Sequence, residues 1–436
     1  MFSAEGELYQ VPAGGGEPVA LERASDGARP RSARWPVFLP DDRTFLYLGW
    51  NADGDREIMA ASFDDPIGRP LFTNPVHVHY VRPGYLLFQN QTTLFAQPFD
   101  AETLSFTGDP VRVADDLWPS PVAGRGTFAA STSGTLAYRA GGAEAASADV
   151  VWSDRRGGTL ATVGESNRYR QIALSPDGRQ VAFSLSEAAT GRLELWTLDL
   201  STGVTSRLTY AETSTDDPIW RRDGAALAYF ASLVGGTQVF EQALGSRTVS
   251  PMFAAPEEGR YPHDWSTDGR FLLFHRGNGL FVKPVGSEDP PRLLRQMRGS
   301  VDSGRFSPDG RWIAYGSNES GAWEVYVAPF PAFDRSRQVS TRGGVQPRWR
   351  GDGWELFYLE PDGRLMSVAV RQETSGAFEA AAPVPLFTSP LSQPIATIDQ
   401  WAATRDGQRF LFIHLRSITG SAAPIRVIAN WQPPVR

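Results

Sequence analysis

A short turn recurs along this chain, and its spacing limits the folds that the chain can adopt. In Ser307-Pro308-Asp309-Gly310, proline fixes φ for the second position of a type I turn, and glycine accepts a positive φ at the fourth. Short β-prone segments flank this turn, so it predicts a tight hairpin. Six Asp-Gly pairs of this kind give the predicted structural turn residues Asp177, Gly178, Asp223, Gly224, Asp268, Gly269, Asp309, Gly310, Asp352, Gly353, Asp406 and Gly407.

The turn glycines follow one another at intervals of 46, 45, 41, 43 and 54 residues. Weaker turns at 40–42, 82–84 and 132–134 bring the total to about nine. A period in the low to middle forties, with four short strands in each unit, is typical of a β-propeller. We therefore predict an all-β chain of four-stranded antiparallel blades. The aromatic residues four positions before the turn glycine are predicted to pack between blades; they are Trp220, Trp265, Phe306 and Trp349.

A stretch rich in small residues, AGGAEAASAD at 140–149, divides the predicted blades into two groups. We expect a six-bladed propeller over residues 148–436, whose last blade is closed by 150–152 or by 160–163. Residues 1–147 would form about three and a half further blades, which cannot close alone. Propellers commonly close with about 4–8 blades, which favours dividing about nine turns into two groups. One ring of eight or nine blades is the alternative.

Composition and charge exclude several kinds of partner. The net charge is −7 without a dense basic run, so we expect no nucleic acid as partner. No apolar run approaches the roughly 20 residues of a membrane-spanning helix, and no secretory signal opens the chain. Cysteine is absent, which excludes disulfides and thiolate metal sites but leaves the compartment open. We predict no cofactor.

Longer segments resemble a known family. SNESGAWEVYVAPFP (317–331), GDGWELFYLEPDGRLMSVAV (351–370) and LFAQPFDAETLSFTGDPVRVAD (94–115) resemble the TolB-like β-propeller region at the C-terminus of bacterial, acidobacterial-type serine/threonine protein kinases. The resemblance extends over about residues 6–431, although Asp42 stands where the family usually has glycine. It implies an extracytoplasmic sensor or interaction module. The chain has no HRD or DFG stretch, so kinase activity does not carry over.

Enzymatic alternatives depend on few residues. The chain has no G-x-S-x-G motif, so we predict that it is not a hydrolase. A metal-dependent propeller enzyme, such as a polysaccharide lyase, is the alternative, with His77, His79 and His263 as candidate ligands. His77 and His79 alternate along a predicted strand and would share one face.

Acidic segments offer weaker candidates for binding sites. Residues 51–57, which are rich in Asp and Asn, lack the EF-hand positions for calcium. The acidic pairs at 216–217 and 257–258 are predicted to lie in exposed connections. We predict a non-catalytic β-propeller that binds a protein, peptide or glycan.

Overall fold

The chain folds into two compact units, Met1–Ala146 with Ser417–Arg436, and Ser147–Arg416. The computed structural model describes residues 1–4, 7–21, 32–50, 56–66, 68–73, 76–90, 92–118, 124–131, 134–140, 147–187, 192–211, 213–233, 236–256, 259–372, 378–391, 394–415 and 424–431. Within these ranges the regular secondary structure is β-strand, and no helix there has the length and hydropathy to cross a membrane.

The strands are short and follow one another closely. The strands of the first unit that precede the second unit in the chain are Phe2–Ala4 (β1), Glu7–Gln10 (β2), Val19–Ala20 (β3), Ser32–Phe38 (β4), Thr44–Trp50 (β5), Arg56–Ser62 (β6), Arg69–Thr73 (β7), Val78–Val81 (β8), Tyr85–Asn90 (β9), Thr93–Asp100 (β10), Ser105–Phe106 (β11), Val111–Ala114 (β12), Phe128–Ala130 (β13) and Leu136–Arg139 (β14). Those of the second unit are Ala148–Asp154 (β15), Thr159–Asn167 (β16), Tyr169–Leu174 (β17), Gln180–Ser186 (β18), Leu193–Asp199 (β19), Thr205–Arg207 (β20), Thr215–Trp220 (β21), Ala226–Leu233 (β22), Gly236–Ala243 (β23), Val249–Pro251 (β24), Tyr261–Trp265 (β25), Phe271–Arg276 (β26), Gly279–Pro284 (β27), Arg292–Gln296 (β28), Val301–Phe306 (β29), Trp312–Ser317 (β30), Glu324–Pro329 (β31), Arg337–Gln338 (β32), Val345–Trp349 (β33), Glu355–Leu359 (β34), Arg364–Gln372 (β35), Phe378–Ala380 (β36), Val384–Thr388 (β37), Trp401–Ala403 (β38) and Arg409–Leu415 (β39). The last strand, Ile425–Ile428 (β40), returns to the first unit.

The second unit is a ring of antiparallel sheets. Its described residues form β17–β20, β21–β24, β25–β28, β29–β32 and β33–β37, each from consecutive strands. A further sheet has the order β16-β15-β39-β38 and so joins the two ends of the unit. The first strands of successive sheets contact one another, and β17 contacts β38. The predicted all-β fold of four-stranded antiparallel blades is confirmed.

The joining sheet uses both segments that the sequence offered as alternatives. In β15, Val150 lies opposite Ile413 of β39, and on its other side it lies opposite Val163 of β16. Apolar residues on β15 and β39 are buried together with those of β17 and β18. The ends of the second unit are therefore held by backbone hydrogen bonds and by a shared core.

The end of the second unit differs from the expected range of 148–436. Residues after Arg416 are grouped with the first unit, where β40 pairs with β14 and Leu136 lies opposite Ile428. Without β40, one edge of β14 would lack strand partners for its N–H and C=O groups. The first unit contains the sheets β1–β3, β4–β7, β8–β12 and β13-β14-β40.

The recurrent turn is built as its residues suggest. At Gly310, φ is 72°, and the Asp309 carboxylate accepts hydrogen bonds from the Ser307 hydroxyl (2.5 Å) and the Arg311 N–H (3.1 Å). Asp177, Asp268 and Asp406 accept the matching pair of bonds. These contacts stay within each turn, so they stabilise the hairpins.

The aromatic residues before the turns reach the preceding sheet. The indole N–H of Trp220 donates to the Ala173 carbonyl (2.9 Å), and that of Trp349 donates to the Arg305 carbonyl (3.1 Å). Trp265 and Phe306 are buried in apolar clusters that span neighbouring sheets. These side chains therefore hold adjacent sheets together.

Candidate functional site: the polar centre of the second unit

Irregular pairing of the innermost strands positions a group of polar side chains. The ladders shift register near Gln171, Asp217, His263, Ser303 and Gln346. Asp217, Ser303 and Gln346 have φ of 53°, 53° and 54°, a conformation that is uncommon outside glycine. A bulge redirects a side chain away from the regular alternation of a strand.

These bulged strands surround a cavity. Its lining residues are Gln171, Asp217, Ile219, Pro262, His263, Asp302, Ser303, Arg305, Thr397 and Asp399. They come from β17, β21, β25, β29 and the segment before β38, so the cavity lies where the innermost strands converge. We call Gln171, Asp217, His263, Asp302, Arg305 and Asp399 the central cluster.

Asp399 is held by two arginines. Arg348 forms an ion pair with it (Nη2–Oδ1 2.7 Å), and Arg305 binds its other oxygen. Although burial favours the neutral acid, the two guanidinium groups hold the pKa of Asp399 below its ordinary value. Burial, together with the charge of Arg305, lowers the pKa of Arg348 to about 10. Asp399 is therefore ionised at neutral pH.

Asp217 and Asp302 form no ion pair with an arginine in the described ranges. Asp217 accepts a hydrogen bond from the Gln171 amide, and burial, reinforced by the Asp216 carboxylate, raises its pKa well above the ordinary value. Burial, reinforced by Asp399, raises the pKa of Asp302 to about 7. The central cluster thus contains two carboxyl groups that a cation would stabilise in their ionised form.

The prediction that 216–217 lies in an exposed connection is wrong. Both residues belong to β21, and Asp216 is 1% exposed. The Asp216 carboxylate accepts a hydrogen bond from Arg170 Nε over 2.7 Å. A bulge within β21 directs these side chains inward, and the acidic composition of the segment does not reveal that bulge.

Two histidines lie beside Asp302. The N–H of Gly304 donates to His263 Nδ1 (3.0 Å), and His263 Nε2 lies 2.8 Å from His275 Nδ1 and 3.5 Å from Asp302 Oδ1. Burial lowers the pKa of His263 well below its ordinary value, with His275 adding to the shift, and burial lowers that of His275 to about 4. Both imidazoles are therefore neutral at neutral pH.

His275 was not among the candidates from the sequence. It lies on β26, six residues after Gly269, whereas His263 lies on β25, six residues before that glycine. In the ladder His275 lies opposite Tyr261, and the register shift between Pro262 and Asp264 brings His263 beside it. The approach of the two histidines therefore depends on the bulge, which the sequence pattern does not show.

His77 and His79 belong to the first unit, whereas His263 belongs to the second. The His77 ring stacks on Phe128 with centroids 5.3 Å apart, and its centroid lies 5.0 Å from that of His79. The N–H of Gly126 donates to His77 Nδ1 over 2.8 Å. Packing and this hydrogen bond account for the position of His77.

Two acidic segments that the sequence offered fall largely outside the described residues. They are 51–55 of the calcium-like loop and 257–258. Glu57 is described and lies in β6.

The ring of antiparallel sheets around a polar centre, most of them four-stranded, defines the second unit as a β-propeller. No protein-family model matches the chain. It is similar to the uncharacterized peptidase YuxL of Bacillus subtilis, with 23% identity over 168 residues, 38% of this chain and 24% of that protein. It is also similar to the probable dipeptidyl-peptidase 5 of Arthroderma benhamiae, with 26% identity over 136 residues, 29% of this chain and 18% of that protein. The chain therefore spans a quarter or less of these curated relatives.

Among solved structures, the chain is similar to two TolB proteins. The putative TolB of Agrobacterium tumefaciens gives a TM-score of 0.48 at 16% identity, over 62% of this chain and 99% of that one. TolB of Acinetobacter baumannii gives 0.43 at 17% identity, over 72% of this chain and 79% of that one.

Proposed function

We propose that the chain is a non-catalytic binding module whose second unit takes a ligand at the central cluster. The observation that carries this proposal is the concentration of charged groups where the innermost strands converge. Asp399, Arg305 and Arg348 are mostly buried, and buried ion pairs often stabilise a fold less than apolar packing of similar volume. A recognition role accounts for polar groups in such a place better than stability does.

The chemistry of the cluster indicates what it would recognise. Asp217 and Asp302 can pair with a cationic group, and Gln171 and Ser303 supply neutral hydrogen-bonding groups. A protein or peptide segment with a basic residue, or a glycan with an amino group, fits this set. The ligand would add the positive charge that the two carboxyl groups lack.

The resemblance to kinase-associated propellers supports a sensor or interaction role within a larger signalling protein. The present chain carries no kinase motif, so its own contribution would be binding. Exposure outside the cytoplasm follows from the same resemblance and is part of the proposal.

The peptidase names of the curated relatives favour a second candidate, a propeller that accompanies a peptidase domain. The matched stretch spans 24% of one relative and 18% of another, so a catalytic domain would lie elsewhere in such a protein. Sequencing the DNA that adjoins the coding region in the source genome separates the candidates. Kinase motifs would support the first, and a G-x-S-x-G domain would support the second.

Binding at the central cluster can be tested with a phage-displayed random-peptide library and a glycan array, both probed with the full chain. We expect enriched ligands to lose at least tenfold in affinity with Asp217→Asn, because the isosteric amide cannot pair with a cation. Asp334→Asn, at an exposed position, is the matched control and should bind as wild type. Ligands that bind both variants equally, or no ligand from either library, would refute the proposed site.

A further inference from the structure

We propose that the central cluster binds a primary ammonium group, which enters in exchange for protons that the cluster holds. This inference rests on the proposed function and deepens it, because it names the chemical group that the same site takes and the condition under which the group binds. It follows from the balance of charge around the cavity, from the carboxylate oxygens that face the cavity without a donor, and from the protonation of the two histidines.

The charged groups around the cavity do not balance when all of them are ionised. Asp399 is shared by two arginines, and Asp216 is paired with a third, Arg170, over 2.7 Å. Three arginines thus face four aspartates, and these residues are Arg170, Arg305, Arg348, Asp216, Asp217, Asp302 and Asp399. Full ionisation leaves one negative charge without a counterion among the described residues. A charge in a mostly buried place needs a partner or a proton.

Protons supply the missing positive charge when no ligand is bound. Burial, reinforced by the neighbouring Asp399, raises the pKa of Asp302 to about 7. Burial, reinforced by Asp216, raises the pKa of Asp217 well above its ordinary value. Asp217 and Asp302 together therefore hold at least one proton at neutral pH, and a cation that binds between them displaces it.

Each of these two carboxyl groups has one oxygen that is engaged and one that is open to a ligand. Asp217 Oδ1 accepts a hydrogen bond from the Gln171 amide, and Asp302 Oδ1 accepts one from the Ser303 N–H over 2.5 Å. Within the described ranges the second oxygen of each group has no hydrogen-bond partner, and both residues line the cavity. In the same part of the structure, the buried Asp216 Oδ1 also lacks a partner. The site thus offers more acceptors than donors.

A primary ammonium group matches this arrangement better than a guanidinium group. It is a compact charge with three N–H donors, so it can contact oxygens that come from β21 and β29, between which β25 lies. A guanidinium group pairs best with both oxygens of one carboxylate, and here one oxygen of each is already engaged. Thr397 lines the same cavity, and its hydroxyl can accept the third hydrogen bond of the ammonium group.

The two histidines do not compete for the ammonium group. The Gly304 N–H donates to His263 Nδ1 over 3.0 Å. Nε2 of the neutral His263 ring therefore carries the proton and donates to His275 Nδ1 over 2.8 Å. Burial lowers the pKa of His275 to about 4 and that of His263 well below its ordinary value, so both rings stay uncharged above about pH 5.

The pH dependence of binding above about pH 5 therefore comes from Asp217 and Asp302. The other charged or titratable groups that approach these carboxyl groups or their partners are Arg170, Asp216, Tyr261, Asp264, Arg305, Arg348 and Asp399. Asp264 is paired with Arg222 over 2.9 Å, so that pair adds no net charge.

Binding of methylammonium chloride to the full chain tests the inference, with guanidinium and tetramethylammonium chlorides compared at equal ionic strength. Isothermal titration in sodium phosphate and in HEPES, neither of which is a primary amine, gives the dissociation constant. The difference in heat between the two buffers gives the number of protons released. Nα-acetyl-lysine methylamide and methyl glucosaminide distinguish a lysine side chain from an amino sugar as the source of the group.

Three variants complete the experiment. Asp217→Asn and Asp302→Asn are isosteric, and each removes one carboxyl group of the site. Asp334→Asn, at an exposed position, is the matched control. Circular dichroism checks that each variant is folded, and the comparison of the three cations on wild type decides the question if a variant fails to fold.

We expect methylammonium to bind wild type and Asp334→Asn at least about tenfold more tightly than guanidinium does, and tetramethylammonium, which has no N–H, not to bind. Asp217→Asn and Asp302→Asn should each bind methylammonium at least about tenfold more weakly. From about pH 6 to about pH 5 the dissociation constant should increase at least about tenfold, because protons compete with the ion for the two carboxyl groups.

No methylammonium bound by folded wild type would overturn the inference, as would equal binding of guanidinium or a dissociation constant that does not change with pH. Peptides or glycans from the libraries that depend on Asp217 but carry no primary amine would also overturn it. That last result would leave the proposed function intact, so the failure of one is distinguishable from the failure of the other.

Discussion

Arg155 and Gly407 are 252 positions apart in the chain, yet an Arg155 guanidinium N–H donates to the Gly407 carbonyl over 2.8 Å. The same side chain forms an ion pair with the buried carboxylate of Glu355. Arg155 directly follows β15, Gly407 lies in the turn before β39, and Glu355 begins β34. One side chain thus links the sheet that joins the ends of the second unit to the sheet before it.

Arg155→Gln should lower the free energy of unfolding of the second unit by about 2 kcal/mol, because Glu355 would lose one of its two arginine partners. Arg350 remains paired with Glu355, which limits the loss. Arg156→Gln, one position along and exposed, is the control and should change little. Urea unfolding measures both. An equal effect of the two variants would mean that the Arg155 contacts contribute nothing.

The blades could be predicted from the sequence because their signal is local. The hairpin predicted at Ser307–Gly310 joins the strands Val301–Phe306 and Trp312–Ser317. Turn chemistry and β-prone flanks lie within a few residues of one another. The pairing of β40 with β14 has no such signal, because the two strands are separated by the whole second unit.

The central cluster was predicted only in part, for a different reason. His263 was a candidate because histidine is a recognisable ligand. Asp217 was assigned to an exposed connection, although it lies in a bulge with φ of 53°. A bulge in a strand depends on its pairing with the neighbouring strand, and pattern alone does not show where it falls. His275 became apparent only when β25 and β26 were paired.

The turn glycines should behave as determinants of the fold. A Cβ at Gly178 would meet nothing within 4 Å, but its φ is 72°. Gly178→Ala should therefore cost about 1 kcal/mol of stability through backbone strain alone. Gly178→Asn should cost less, because asparagine tolerates this conformation better. Thermal unfolding compares the two, and a smaller loss for alanine than for asparagine would contradict the assignment.

Asp399 should be important for the stability of the second unit. Asp399→Asn would leave Arg305 and Arg348 without their shared carboxylate in a mostly buried place, at a cost of about 3 kcal/mol. Asp334→Asn, at the surface, is the control. Urea unfolding of the two variants gives the difference in their free energies of unfolding. Breaking a buried ion pair by removing one partner typically costs about 3–5 kcal/mol. A loss below about 1 kcal/mol would therefore contradict the prediction and would mean that water or Asp302 replaces Asp399 as partner of the arginines.

His77 should make the first unit sensitive to acid. Burial lowers its pKa to about 3, with His79 and Arg125 adding to the shift, whereas an unfolded histidine titrates near pH 6.5. Below that pH the unfolded chain takes up a proton that the folded unit does not. Stability is therefore lost as the pH falls from about 6.5 towards 3, by about 1.4 kcal/mol per unit.

The variant His77→Asn separates this effect from packing. Its amide oxygen can accept the Gly126 N–H, but it does not titrate. Near pH 7.5 we expect the variant to be less stable than wild type, because stacking on Phe128 is lost. Between about pH 6.5 and about pH 5 its free energy of unfolding should decrease less than that of wild type. Urea unfolding of wild type and variant at these pH values measures the two differences. Parallel pH profiles for wild type and variant would exclude His77 as the source.

The second unit should fold without the first, because its ends are joined within one sheet. A fragment of residues 147–416 retains β15 and β16 and should unfold in one cooperative transition. A fragment of residues 169–416 lacks both strands, which leaves the edge of β39 unpaired and exposes the buried Leu411 and Ile413. Open apolar edges promote association between chains. We therefore expect the shorter fragment to aggregate or to unfold without cooperativity, as judged by light scattering and circular dichroism. Equal stability of the two fragments would show that the joining sheet does not hold the ring together.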